Sequence, residues 1–398
     1  MTTGTRTERE VASQPSCWRE AGRLAADLGR FLPAPGERVA VAGCGTSWFM
    51  AQSYAAAREE SGHGETDAFA ASEMPARRRY DRVLVLSRSG TTTEIVHLLE
   101  RLRGTVPTVA ITALAGTPVA QAADAVVELG FADETSVVQT RFATTELALL
   151  RAHLGHDPGP AADAAERVLA TPLPPGLLAA RQFTFLGTGW TYGLANEAAL
   201  KLREAAGMWT EAYPAMEYRH GPASVTSEDS VVWLFGPAPD GLAGEIAAAG
   251  GTVWLGAEDP LAELVRVQML AVGLAGVAGG LQSTAMQVGG TLGTAVLGAV
   301  MAARISSLLP ASWQAAHLPP LTATQLAGVK SAVSVGAAPV TSSTPHQIAT
   351  AITSVSHATF ASGMHTAFLV AAAVALAGAV IALLTRAGHG AAGAHAGL

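Results

Sequence analysis

Acidic residues run out well before the end of this chain: beyond Glu263 there is no Asp or Glu. The cations there are Arg266, Arg304, Lys330 and Arg386 alone. A stretch so poor in charge does not make an ordinary soluble surface, and the uncharged gap from Arg266 to Arg304 is long enough for a transmembrane helix. Cysteine is scarce too. Cys17 and Cys44 give neither a disulfide framework nor metal-ligand spacing, so no metal or other cofactor is expected. Met1 to Glu20 has no apolar run of the kind a signal peptide needs, which places the front of the chain in a reducing, cytoplasmic setting. Charged residues make up 14% against 49% hydrophobic, too apolar on average for a soluble globule. The net charge of −7 argues against nucleic acid as a partner.

The front part alternates. A helix is expected over Gln14–Phe31, then a turn at Pro33–Gly36. The apolar run 38–42 leads into Gly43-Cys-Gly-Thr-Ser47 and a helical pattern from Trp48 to Glu60. The unit recurs: a strand at 82–86, the turn Ser87-Arg-Ser-Gly-Thr-Thr92, then a helix at 93–103. Short strands follow at 109–112 and 125–128, before prolines at 157–160 and 172–176 that mark a linker. A second alternation has strands at 183–187, 231–235 and 251–255, the turn Gly187-Thr-Gly189, and helices at 240–249 and 261–274. Strands alternating with helices predict two doubly wound parallel α/β units, a weak internal duplication. Ser87–Thr92 is the best anion site, because a helix start after a parallel strand presents free N–H groups and hydroxyls. The other two glycine turns are built alike. A Ser or Thr at any one of the three can equally be a plain helix cap.

The front part is organised around Glu197-Ala-Ala-Leu-Lys-Leu-Arg-Glu204. Its residues are good helix formers, and Glu197, Lys201 and Glu204 at i, i+4 and i+7 share one helix face. Glu217, Arg219 and His220 follow, with Gly221-Pro222 ending regular structure. Two acids, an ammonium and an imidazole in so short a span suit proton transfer on a small polar substrate. The plain alternatives are a surface Glu197–Lys201 ion pair, worth about 0.2–0.5 kcal/mol, and a structural His220.

Taken in order, Cys-Gly-Thr-Ser at 44–47, Ser-x-Ser-Gly-x-Thr at 87–92, Thr-x-x-x-Thr-Thr at 140–145, Glu-x-x-x-Lys-x-x-Glu at 197–204 and His-Gly-Pro at 220–222 resemble the sugar isomerase (SIS) domain family. The pattern, over about 12–274, is like the tandem-SIS isomerase half of glucosamine-6-phosphate synthase and the stand-alone aminosugar-phosphate deaminases and isomerases. The resemblance implies SIS-like domains over 1–165 and 166–274, a homodimer, and a phosphorylated sugar or aminosugar as ligand. It implies Thr46, Ser47, Ser87, Arg88, Ser89, Gly90, Thr92 and Gln139 around the substrate, with Glu197 and Lys201 in support. Glu204 matches the base that moves a proton between C1 and C2. His220 matches the ring-opening histidine, which in the family comes from the partner subunit. Arg88 stands where the synthase has glutamine and Gln139 where it has serine. The glutaminase domain and the family's final lysine-bearing segment are not found in the pattern. The implied function is a sugar-phosphate isomerase or aminosugar-phosphate deaminase; the alternatives are a non-catalytic sugar-phosphate sensor and a fragment of a drug transporter.

That last alternative comes from the tail, 275–398. Gly279-Gly-Leu-Gln-Ser-Thr-Ala-Met-Gln-Val-Gly-Gly-Thr-Leu-Gly293 and Gly363-Met-His-Thr-Ala-Phe-Leu-Val370 resemble the last two spans of a multidrug major-facilitator transporter. Two spans at about 275–300 and 367–384 are expected, separated by a polar, Pro-containing stretch, 306–365, and followed by a frayed Gly/Ala-rich end. Such a hairpin would tether a cytoplasmic front part to a membrane, with Arg266 and Arg386 on the inner side.

Overall fold

Parallel strands covered by helices on both faces must be apolar on both sides, and this chain supplies them. The computed structural model describes residues 5–386 except 76 and 342, without side chains at 276–288, 382 and 384–386. The expected frayed end therefore lies outside the described residues. Two compact units divide the chain, Met1–Gly279 and Gly280–Leu398.

The first unit opens with helices α1 (Arg6–Ala12) and α2 (Gln14–Leu28). Strand β1 (Val39–Gly43), α3 (Thr46–Glu60), β2 (Thr66–Ala70), β3 (Arg82–Leu86), α4 (Thr93–Leu102), β4 (Thr108–Thr112), α5 (Pro118–Ala122) and β5 (Ala125–Glu128) follow. Helices α6 (Arg141–His153), α7 (Gly159–Ala170) and α8 (Pro175–Ala179) lead to β6 (Gln182–Gly187), α9 (Thr191–Ala206), β7 (Thr210–Pro214), β8 (Ser230–Phe235), α10 (Leu242–Ala248) and β9 (Thr252–Leu255). The long helix α11 (Pro260–Ala315) crosses the division between the units.

All strand pairs are parallel, in two sheets ordered β2-β1-β3-β4-β5 and β7-β6-β8-β9. Register is matched at the inner pairs, Val39 opposite Arg82 and Gln182 opposite Ser230. In each sheet the strand that comes first along the chain, β1 or β6, lies between the second and the third. The chain therefore reverses direction beside β1 and beside β6, which opens a crevice at the carboxyl ends of those strands. One core joins the sheets: Trp18, Tyr54, Phe142, Phe183, Phe185 and Trp233 are fully buried in it. The proline-marked linker is not open chain, since α7 forms inside it and buries an alanine face, Ala161, Ala162, Ala164 and Ala165. Strands β2 and β7 were not anticipated. Each is a half-buried edge strand carrying charge or polarity, Thr-Asp-Ala-Phe-Ala and Thr-Glu-Ala-Tyr-Pro, so neither shows a continuous apolar run.

In the second unit the expected polar stretch 306–365 is largely helical. Ile305, Leu309 and Trp313 of α11 pack with Val329 and Val333 of α12 (Ala323–Ser334) and Ile352 of α13 (His346–Arg386). Thr322 caps α12 through a reciprocal box with Gln325, and the Trp313 indole donates to the Pro319 carbonyl at 2.9 Å. Polar residues at helix starts and between small apolar ones made this head read only as a polar, Pro-containing stretch. Among the described residues, two helical stretches are long and apolar enough to cross a membrane: 289–315 and 346–381, with mean hydropathy 1.6 and 2.1.

Candidate functional site

Helices α3 and α9 begin after equivalent strands and cross tightly. At the crossing, a Cβ on Gly193 would run into the Phe49 carbonyl and the Ser53 side chain, so only glycine allows this approach. The crossing brings Thr46, at the start of α3, onto the Glu197–Lys201–Glu204 face of α9. Lys201 donates to Thr46 Oγ1 at 3.0 Å, and the Thr46 hydroxyl donates to Glu197 Oε1 at 3.3 Å. Lys201 Nζ also lies 3.3 Å from Glu197 Oε1 and 2.7 Å from Glu204 Oε2. Glu197 and Lys201 are each 1% exposed, whereas the Glu204 side chain is 38% exposed. A surface ion pair is thereby overturned. The pair is buried, and one arm of it reaches outward to a carboxylate open to solvent.

Burial sets the electrostatics. It pushes the Glu197 carboxyl up to about 7, with Lys201 pulling down and the charge of Glu204 adding to the rise. For Lys201 burial works against the charge, but Glu197 and Glu204 outweigh it and the ammonium is held above its ordinary range. Lys201 is one of only two lysines in the chain, the other being Lys330. A flexible point charge with three donors can serve Thr46, Glu197 and Glu204 together.

The anion loop lies beside this cluster in the topology, because β1 and β3 are neighbours and both Thr46 and Ser87 follow their carboxyl ends. Ser87 Oγ is 3.0 Å from Thr92 Oγ1, and the Ser89 hydroxyl accepts from Thr91 N at 3.3 Å. Gly90 has φ +64°, and a Cβ there would strike Thr117. Thr92 precedes α4 without capping it by its side chain, which leaves first-turn N–H groups for a ligand. Ser47 is buried at the start of α3. The third glycine turn differs: the Thr191 hydroxyl donates to the Phe235 carbonyl at 2.7 Å and accepts from Thr188 N at 2.9 Å. Its polar atoms are occupied in closing the second sheet.

Other expected residues lie elsewhere. Arg88 turns toward the loop before α6, donating to the Glu134 carbonyl at 2.9 Å, with Asp133 at 3.8 Å. Gln139 is half-buried on that same loop. His220 is exposed after a short 3-10 turn, Glu217–Arg219, and no hydrogen bond or ion pair joins it to Glu204, Lys201 or Glu197 among the described residues. Arg219 is engaged by Glu245 at 2.9 Å and by the Asp240 carbonyl.

Two buried acids were missed. Glu134 caps α6, accepting from Thr140 N at 2.7 Å, Arg141 N at 3.1 Å and Phe142 N at 3.3 Å. Glu146, inside α6, is fully buried, and neither of its oxygens has a hydrogen-bond partner among the described residues. Burial, then the charges of Glu134 and Glu197, push its carboxyl well above the usual range. A lone acid directly before the apolar run Leu147-Ala-Leu-Leu150 was the available signal.

With this geometry in view, the SIS domain family matches residues 34–153. That stretch, less than half of the chain, is similar to a SIS domain. Over 257 residues the chain is 28% identical to glutamine–fructose-6-phosphate aminotransferase (isomerizing) of Vibrio vulnificus, covering 56% of this chain and 42% of that protein. Two solved structures share the SIS-like fold. The C-terminal domain of glucosamine-fructose-6-phosphate aminotransferase from Francisella tularensis aligns at TM-score 0.57 and 18% identity, over 70% of this chain and 97% of that one. A glucosamine-6-phosphate deaminase from Thermotoga maritima aligns at TM-score 0.56 and 22% identity, over 68% and 93%. The transporter-like tail fits a further match, 50% identical over 113 residues to the tetracenomycin C resistance and export protein of Streptomyces glaucescens. That match takes in 28% of this chain and 21% of the export protein. The chain thus spans less than half the length of each of these two sequence relatives.

Proposed function

We propose that the α/β part, with SIS-like domains over 1–165 and 166–274, binds a phosphorylated sugar and moves a proton between its adjacent carbons C1 and C2. The observation that carries this reading is the outward arm of the buried cluster. Lys201 holds an accessible Glu204 carboxylate at 2.7 Å at the same strand ends as the Ser87–Thr92 loop. Ser87, Ser89, Thr92 and the first N–H groups of α4 take the phosphate, with Ser47 across the crevice. The Glu204 carboxylate removes the proton from C2 of the open-chain aldose while the C1 carbonyl oxygen gains one, giving an enediol. Return of the proton to C1, with loss of the proton from the C2 hydroxyl, gives the ketose. With an amino group at C2, the ketimine so formed loses ammonia to water, which is the deaminase outcome. His220 opens the ring from a partner subunit, in keeping with its exposed position. The test is turnover of glucosamine-6-phosphate and fructose-6-phosphate by the full chain and by Glu204→Gln. We expect turnover to fall at least a hundredfold in the variant with binding kept. If neither protein turns over any sugar phosphate, the catalytic reading fails.

The exposure of His220, unconnected to Glu204, favours a second reading in which the same crevice binds a sugar phosphate without chemistry. Equal binding by both proteins with no turnover by either supports it. For the tail, we propose a membrane tether. Phe368, Leu369, Val374, Leu376, Val380 and Ile381 of α13 are exposed within the second unit, and such a face in a helix of this length suits lipid.

A further inference from the structure

The chain carries 25 basic against 32 acidic residues, yet Arg77, Arg78 and Arg79 are consecutive and exposed. They line a cavity of about 510 Å³ together with Arg101, Asp81 and Leu102. The nearby acids are already engaged. Asp67 accepts from Tyr80 Oη at 2.7 Å and pairs with Arg78 at 3.1 Å. Asp81 accepts from the Arg38 backbone at 2.8 Å. Arg101 gives one N–H to the Met74 carbonyl at 3.0 Å. Arg77 and Arg79 have no hydrogen bond or ion pair among the described residues.

Four arginines against the one carboxylate of Asp81 leave the lining strongly positive, and a hollow with such an excess of one sign concentrates counter-ions. A guanidinium fork matches a phosphate in two parallel hydrogen bonds, and two forks here are free. We propose that this cavity is a binding site for an anion bearing two linked phosphate groups. It is separate from the crevice described above. Residues 77–81 precede β3 and Leu102 precedes β4, so the cavity lies at the amino ends of the strands. The Ser87–Thr92 loop lies at their carboxyl ends, a strand length or about 17 Å away. The ten-residue helix α4 runs from that loop to Arg101, so a ligand in the cavity is placed to act on the loop through one rigid element. The proposal does not depend on the catalytic reading.

The test is titration of the purified full chain with inorganic pyrophosphate, and sedimentation with cardiolipin vesicles, whose headgroup joins two phosphates, to separate a free ligand from a lipid headgroup. The proteins are the parent, Arg77→Ala/Arg79→Ala, Arg6→Ala/Arg9→Ala with the same change of charge elsewhere, and Ser87→Ala/Thr92→Val. We expect saturable binding of at least one probe that weakens at least tenfold in the Arg77/Arg79 variant and less than twofold in the other two; the probe that responds identifies the source. The proposal is overturned if neither probe binds, if all variants bind alike, if the Arg6/Arg9 variant loses as much, or if binding depends on Ser87 and Thr92 instead.

Discussion

Glu146 gives the sharpest expectation at the scale of single residues. Its folded carboxyl sits well above the ordinary value, chiefly through burial. The folded protein therefore keeps a proton that the unfolded chain gives up above about pH 4.5. That contribution to stability is present at low pH and is lost as pH rises toward the folded value, at about 1.4 kcal/mol per pH unit. Glu146→Gln cannot titrate. Chemical denaturation at pH 5, 6 and 7 should show the variant gaining on the parent at each step; parallel pH profiles would refute the assignment. Thr46→Val tests the hydroxyl that links Lys201 to Glu197. Leaving a buried charge short of a partner should cost about 1–3 kcal/mol, read as a lower denaturation midpoint. The helix face itself was legible, because i, i+4 and i+7 spacing is local. Burial was not, since it depends on α3, which lies more than a hundred residues earlier. Glu146 went unread for the same reason: an acid before an apolar run acquires meaning only when its neighbours in space are known.

Elements were easier to read than their contacts. Strands β3 and β5 fall where the apolar runs placed them, and the three glycine-turn units fold as strand, turn and helix. The edge strands β2 and β7 and the helices between prolines were missed, because half-buried or alanine-rich segments carry weak periodicity. What no pattern disclosed is how closely α9 approaches α3. Gly193→Ala forces a methyl against backbone at that crossing. It should destabilise by about 1–3 kcal/mol and reduce sugar-phosphate turnover more than stability alone accounts for, since Thr46 would shift relative to Lys201. Unchanged melting in that variant would show the crossing to be looser than described.

At the scale of the molecule, the two units expose different kinds of surface. The front unit has polar edges and an apolar centre. Along α13 the apolar residues face outward, while the packed head built on Trp313 uses the beginning of that helix. The full chain is expected to pellet with membranes and resist carbonate extraction. An arginine at the centre of a span costs about 2.5–3.5 kcal/mol, so Leu376→Arg should release a measurable share into the soluble fraction. A chain that stays monodisperse without detergent would instead mean that partner protein covers these faces. Composition made the apolar tail legible, but not the head between its spans, whose small core brings together residues from three helices.

The burial of Lys201 has a consequence for chemical reactivity. An amine-directed acylating reagent finds only two lysine side chains here, and Lys201 is sealed beneath the meeting of α3 and α9. Its labelling must wait for those helices to part. The delay between modification of Lys330 and modification of Lys201 is therefore a clock, set by a single residue, for how often the heart of the α/β part opens.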